Sequence, residues 1–285
     1  MIRRTAVFLP SKLSWRGRNA NLRNDLRHIW AERLRGFCHI MSDSEHIDEI
    51  LNKWEYEPYS LSVRIAQGAD GRDMLQMRID MGILQLEMEG RPDGTSPEGF
   101  DTYYSYLHSK AVDFGEDFVL DEDQCNEVDR EFVQYYHRRI CWLRLQNYQR
   151  AVSDANHTLA LMDFCKEHSP DEQWTMSHEQ YRPFVMFHRT QATALGVLED
   201  EGAEAAIGAI NRGLDELRDV FEEYEAEEQF EEDELVRRLM ELRETLRKEY
   251  EVGRTLHEQL ADAVASEQYE LAAKLRDEIA RKTQT

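Results

Sequence analysis

Two stripes at helical spacing close this chain and constrain how its last thirty residues fold. Leu256, Leu260, Ala263 and Val264 form one, and Ala272, Leu275, Arg276 and Ile279 form the other, each at the three-and-four-residue step that keeps side chains on one helix face. Between them Ala265-Ser266-Glu267-Gln268 supplies a serine and a glutamate suited to a helix break and a new start. The spacing predicts a short helical hairpin. Alanines at 263, 272 and 273 let its two backbones approach, with Tyr269 as the bulky residue at the crossing. Ordering a residue costs about 1–2 kcal/mol of backbone entropy, which so small a hairpin cannot recover by itself. It needs a neighbouring helix or a partner surface.

The full string reads Leu256-x3-Leu260-x2-Ala263-Val264-x2-Glu267-x-Tyr269-Glu270-x-Ala272-Ala273-x-Leu275-Arg276-Asp277-x-Ile279. It resembles the UVR (UvrB/UvrC) motif, a helical hairpin that docks another protein in bacterial excision-repair subunits and also occurs in adaptors and ATPases of Clp-type proteolysis. The resemblance covers about a tenth of the chain and implies a partner rather than a reaction. It implies Leu260, Ala263, Tyr269, Glu270, Ala273, Leu275, Arg276, Asp277 and Ile279 as partner-binding residues, with Glu270, Arg276 and Asp277 as the polar signature. The bland alternative is a solvent-washed hairpin with no partner. No helicase or nuclease signature of the repair subunits is present, so neither activity carries over. Some UVR-bearing adaptors carry cysteine-rich zinc modules; Cys38, Cys125, Cys141 and Cys165 contain no C-x-x-C pair, which signals neither a zinc ribbon nor a dithiol redox site. Reduced thiols in a cytoplasmic protein are the expectation.

Charge is unevenly placed along the 285 residues. The net value is −22, yet residues 1–40 hold nine Lys and Arg against two acids, and residues 41–285 hold 26 against 55. So acidic a body repels a phosphate backbone, which argues against broad nucleic-acid binding. No run of about eighteen apolar residues exists to span a membrane.

The first forty residues differ from everything after them, with Arg3, Arg4, Arg16, Arg18, Arg23, Arg27, Arg33 and Arg35 beside one lysine, Lys12. A targeting presequence, a basic arm, and translation starting at Met41 are the three readings; the last is favoured, because Ser42-Asp43-Ser44-Glu45 is a capping sequence leading into Ile47, Ile50 and Leu51.

After an opening helix near 43–54, residues Leu61 to Gln67 alternate, Gly68-Ala-Asp-Gly71 supplies turn chemistry, and Leu75, Met77, Ile79 and Met81 alternate with Gln76, Arg78 and Asp80. This predicts a β-hairpin, with Leu84, Leu86 and Met88 resuming in the opposite phase after a bulge or tight bend at Gly82; a helix over 74–89 is the alternative. An aromatic helix is expected over 100–112. The acids Asp121, Glu122, Asp123, Glu127 and Asp129 lack the central glycine of a calcium loop, and Phe132 stands where its bidentate glutamate belongs, so they are assigned to starting the next helix.

Two helix pairs follow, 127–145 with 148–164 and 177–198 with 203–224. Tyr148-x2-Ala151 with Thr158-Leu159, and Ala203-x2-Ala206 with Gly213-Leu214, resemble the second half of a tetratricopeptide (TPR) unit, though 55 residues apart; an ordinary helical bundle is the competing reading. Nine acids crowd Phe221 to Glu234, a solvated helix or frayed hinge. Leu235, Leu239, Leu242 and Leu246 then form a seam that can pack on the body, on the terminal hairpin or on a second copy.

No metalloprotease, phosphate-loop, nucleophile-elbow or dinucleotide motif occurs. His137, Arg138, Arg139 and Arg144, together with Arg182, His188 and Arg189, form a site for an anion or acidic peptide if they share one face; otherwise they pair with the body's own acids. Arg78 and Asp80 are read as an exposed cross-strand pair.

The expectation is a mainly α protein: a basic extension over 1–40, a small α+β region with a β-hairpin over 41–120, a helix-pair, TPR-like body over 121–225, a charged connecting helix over 226–252 and a UVR-like helical hairpin over 253–285. It is expected to be bacterial, cytoplasmic, without cofactor or metal, and non-enzymatic. It would dock a protein partner through the hairpin, with self-association open and nucleic acid and membrane not expected as partners. The rival reading is a DNA-repair accessory protein using the arginines of 137–150 and 182–189. A third, an enzyme with a pocket between hairpin and helices, has no motif behind it.

Overall fold

The computed structural model describes residues 47–283. The basic extension, the capping sequence at 42–45 and Cys38 lie outside the described residues. Helices dominate: ten are present among the described residues, with one three-stranded antiparallel sheet in the order β1-β2-β3. The chain forms two compact units, the described part of Met1–Ser62 with Arg78–Leu84, and Val63–Met77 with Gln85–Thr285.

The smaller unit holds α1 (Asp48–Lys53), which buries no residue, and the turn that joins β2 (Asp73–Ile79) to β3 (Gly82–Glu87). Arg78 organises it. Its guanidinium donates to the carbonyls of Trp54 at 2.8 Å, Gly82 at 3.0 Å and Asp80 at 3.2 Å and lies against the Tyr56 ring. The expected exposed Arg78–Asp80 pair is therefore not formed; Arg78 is buried and binds the Asp80 backbone instead. Met81 falls in the turn and is 90% exposed rather than on the apolar face.

Within the sheet β1 (Ser62–Gln67) and β3 flank β2, and the part of β2 that lies in the larger unit is buried from Met74 to Met77. Its polar residues pair across the sheet: Arg64 donates to Gln76 Oε1 at 2.7 Å, and Gln76 Nε2 donates to Gln85 Oε1 at 3.0 Å. The hairpin expectation holds with a third strand added, because Asp80-Met81 makes a tight reversal. Gly71 (φ 85°) occupies the left-handed position of the β1–β2 turn.

Helices α2 (Tyr103–Phe114), α3 (Glu122–Arg144), α4 (Tyr148–His168), α5 (Glu172–Glu179), α6 (Arg182–Asp200), α7 (Ala203–Glu223) and α8 (Glu234–Glu249) build the body. Their starts follow the side-chain caps of the sequence. Asp121 accepts from the Gln124 amide, whose side chain bonds back in a capping box, while Thr102, Asn147, Asp171 and Asp233 cap α2, α4, α5 and α8. The helix expected over 177–198 is two, because Pro183 opens α6 and cannot donate to a preceding turn.

Gly115 and Gly202 mark the ends of α2 and α6, but four other helix stops carry no glycine signal. Gln146, Glu225, Glu251 and Glu267 adopt φ between 53° and 60°; after α3, for example, the Asn147 and Gln146 amides close back on the carbonyls of Trp142 and Leu143.

One apolar core joins α4, α6, α7 and α8 through Leu159, Phe187, Ile207, Ile210, Leu217 and Leu239, and a second joins α2, α3 and α4 through Leu107, Phe118, Val128 and Phe164. Each large side chain fully buried there stabilises by roughly 1.5–3 kcal/mol before entropy is counted. Small residues set the helix contacts, as expected: Ala151 and Ala206 are fully buried, and a Cβ on Gly213 of α7 would collide with Thr190 of α6. The leucine seam packs on the body, with Leu239 and Leu246 buried in the first core and Leu235 and Leu242 against it. The acidic stretch is neither one helix nor frayed. It turns through a 3-10 segment, Glu227–Glu232, fixed by the buried Phe230, whose ring meets Phe221 at 5.5 Å.

Candidate functional site: the C-terminal helical hairpin

The last two helices, α9 (Leu256–Ala265) and α10 (Tyr269–Thr283), form the hairpin. Its start is chemically fixed. Thr255 Oγ1 accepts from the Glu258 amide and Glu258 Oε2 accepts from the Thr255 amide at 2.7 Å, a complete capping box. Its corner is a helix stop without glycine: the Gln268 amide donates to the Ala263 carbonyl at 2.7 Å and the Glu267 amide to Val264 at 3.0 Å, with Glu267 left-handed at φ 57°.

The nine residues expected to bind a partner divide into two sets. Ala263 and Leu275 are buried with Ala272, and Leu256 and Leu260 pack against them, so these side chains hold the two helices together. Tyr269, Glu270, Ala273, Arg276 and Asp277 face outward, and Ile279 is half-buried. Tyr269 is not at the crossing. The alanines fill that space, and the tyrosine ring, at the first position of α10, is 68% exposed. Val264 and Leu271, which sequence reasoning did not select as binding residues, are also exposed. Arg276 Nη2 meets Asp277 Oδ1 at 3.0 Å in a solvent-washed pair, an arrangement that contributes little to stability.

The hairpin is anchored to the body through a residue the motif did not single out. Glu258 Oε1 accepts from Arg247 Nη2 of α8 at 2.5 Å and from Asn211 Nδ2 of α7 at 3.1 Å. Burial works against the charge of Glu258, but the bonds from Arg247, the Thr255 amide and Asn211 outweigh it and hold the carboxyl down to about 2. Thr255-x-x-Glu258 is a capping-box spacing visible in the sequence; Arg247 and Asn211 carry no local signal for their role.

The arginines considered for an anion site are engaged within the body. Arg138 is buried against Asp154, with Nη2 to Oδ1 at 2.8 Å and Nη1 to the Gly90 carbonyl at 2.8 Å. Arg139 donates to Thr158 Oγ1 at 3.0 Å and to His188 Nδ1 at 3.3 Å; burial, only partly offset by Asp154 and Tyr136, lowers its pKa to about 10. Arg182 pairs with Glu179 at 2.6 Å and Asp163 at 2.8 Å, and Arg189 pairs with Glu216. His137 is half-buried and its pKa is lowered by burial; Arg144 is exposed. Buried Arg138 thus pairs with an acid of the body, whereas buried Arg139 faces a hydroxyl and an imidazole.

A different polar cluster, invisible in the sequence, pins the loop after β3. Arg91 reaches Glu127 at 2.8 Å, while the fully buried Glu131 accepts from the Tyr103 and Tyr104 amides at 2.7 and 3.1 Å and lies 2.9 Å from His157 Nε2. That carboxylate sits at the start of α2, where the helix dipole favours it. Burial raises the thiols of Cys125 and Cys141 to about 11 and about 12, and that of Cys165 upward as well, the opposite of a reactive cysteine.

The geometry therefore defines a mainly helical chain with a small C-terminal hairpin that exposes a tyrosine among charged residues. The family whose model matches is the UvrB/uvrC motif (UVR), over residues 254–282. No curated protein and no solved structure matches the chain. The motif suggests protein–protein interaction in general. Among the described residues no helix is long and apolar enough to cross a membrane.

Proposed function

We propose that the chain is a non-enzymatic, cytoplasmic adaptor or scaffold of bacterial type that docks a protein partner through its C-terminal hairpin. The observation that carries the reading is the division of labour within the motif: Ala263, Ala272 and Leu275 close the hairpin, which leaves Val264, Tyr269 and Leu271 exposed together with the charged Glu270, Arg276 and Asp277. An exposed aromatic with flanking charges, one of them an arginine, matches the residue types enriched in binding hot spots. The helix pairs α3–α4 and α6–α7 support taking the body as a TPR-like scaffold behind it. The UVR resemblance points to excision repair or Clp-type proteolysis as the partner's pathway.

The test is recovery of partners by the chain beside a triple variant, Tyr269→Ala, Arg276→Ala and Asp277→Ala, all three exposed and outside the hairpin core. A partner from either pathway recovered by the wild type and lost by the variant is the expected result; equal recovery refutes docking through this face. DNA binding that weakens steeply with added salt would instead favour a nucleic-acid accessory role.

A further inference from the structure

The hairpin and the body have separate apolar cores, Ala263, Ala272 and Leu275 in the one, and the α4–α6–α7–α8 cluster in the other. Val252 is the last residue before the hairpin that packs against the body's core. The chain then passes through Gly253, around which a Cβ would meet nothing within 4 Å, and Arg254. This joint has no apolar packing of its own to fix the direction in which the hairpin leaves.

Polar contacts across the joint converge on Glu258. One carboxylate oxygen completes the capping box with the Thr255 amide at 2.7 Å. The other accepts from Arg247 at 2.5 Å and Asn211 at 3.1 Å. Arg247 also donates to the Gly253 carbonyl at 2.8 Å, and Arg243 donates to Asn211 Oδ1 at 3.0 Å, which turns the amide's donor end toward Glu258. Glu258 and Arg247 are only 19% and 18% exposed, so water screens the pair less than it screens the open pair at Arg276 and Asp277. One side chain thus starts the first helix of the hairpin and fastens that helix to the body, using different oxygens for each.

We propose that Glu258, Arg247 and Asn211 form a latch that sets the orientation of the hairpin, with Gly253 as the hinge when it opens. Because the hairpin's core lies wholly beyond the joint, opening the latch leaves the hairpin folded and frees its direction. Resting on the docking reading above, the latch pre-orients the Tyr269 face; a released hairpin must be ordered again on binding, and the partner is held less tightly.

Arg247→Met and Asn211→Ala, separately and together in the full chain, remove the body's side of the latch and spare the capping box. Glu258→Gln keeps a side chain able to complete the box while removing the charge. The first readout needs no partner: trypsin cleavage after Arg254 and amide exchange across residues 250–256, beside exchange in α10. Loss of a bond to a charged group predicts roughly tenfold faster cleavage at Arg254 in Arg247→Met, with Glu258→Gln and Asn211→Ala intermediate and α10 protection changed less than about twofold. Cleavage unchanged in the double variant overturns the latch. Loss of α10 protection along with the joint also overturns it, because the contact would then be needed for the hairpin to fold. The second readout is partner recovery by the latch variants: weaker recovery supports pre-orientation, and a freed joint with undiminished recovery refutes it. Failure of the Tyr269 triple variant to lose the partner refutes docking alone, and leaves the cleavage result standing.

Discussion

Replacing Asp154 by alanine tests whether the arginines of α3 are internal structure. The Arg138 guanidinium and the Asp154 carboxylate are each about 95% buried, joined by Nη2–Oδ1 at 2.8 Å and Nε–Oδ2 at 3.0 Å. Two further bonds tie Arg138 to the carbonyls of Gly90 and Glu87, so the cation cannot swing to water without releasing the loop after β3. Burial alone would depress the pKa of Arg138, yet Asp154 carries it above its ordinary value. Asp154→Ala therefore strands a charge, a change that costs about 3–5 kcal/mol, or roughly 6–20 °C in melting temperature at the low sensitivity of a chain this long. Urea unfolding and calorimetry measure it. The double variant Arg138→Met with Asp154→Ala removes both charges and is expected to recover part of the loss, which gives a coupling well above about 0.5 kcal/mol in the double-mutant cycle with the two single variants. A fall below about 2 °C, which corresponds to no more than about 1 kcal/mol, or strictly additive single substitutions, would show that Arg138 is not held as an internal ion and would return it to the pool of anion-binding candidates.

Two other outcomes follow from the same geometry. Leu275→Ala empties the small core of the hairpin and should cost about 2–5 kcal/mol there; residues 256–283 are expected to lose exchange protection while the body's melting transition stays in place, and a lowered body transition would show the hairpin to be part of the main core. His188 is buried beside Arg139, and burial first, then that cation, hold its pKa well below 6.5. A depressed folded value means that its contribution is present above pH 6.5 and is lost as pH falls below it, because the unfolded chain takes the proton first. His188→Gln should flatten the decline in stability between pH 6.5 and 5, and an unchanged slope would assign the decline to other groups.

The sequence by itself determined the helical class, the strands on either side of Gly68–Gly71, an acidic start for α3, though expected from 127 where the Asp121 cap starts it at Glu122, and the hairpin with its motif. These are local properties: spacing sets which residues share a face, and a capping carboxylate satisfies amides three residues away. The helix ends were legible only to within a few residues because Gln146, Glu225, Glu251 and Glu267 stand in left-handed positions where glycine would have announced the stop. The single helix expected over 177–198 runs through Pro183, the breaker beside which α5 and α6 divide.

The tertiary structure alone decided the partners of charged groups. Arg78 reads as an exposed strand residue until the turn carbonyls close around it, and Arg138 reads as a candidate anion ligand until α4 brings Asp154 alongside. Tyr269 lies at the surface rather than at the expected crossing, and Ala263, Ala272 and Leu275 fill the core between the helices. Glu258 shows both levels in one residue. Its bond to Thr255 is written in a three-residue spacing, whereas its bonds to Asn211 and Arg247 join positions 47 and 11 residues away. Hydrophobic periodicity cannot encode such pairs, since a salt bridge between helices depends on how two packed surfaces happen to align their side chains in space, and that alignment exists only once the cores have formed.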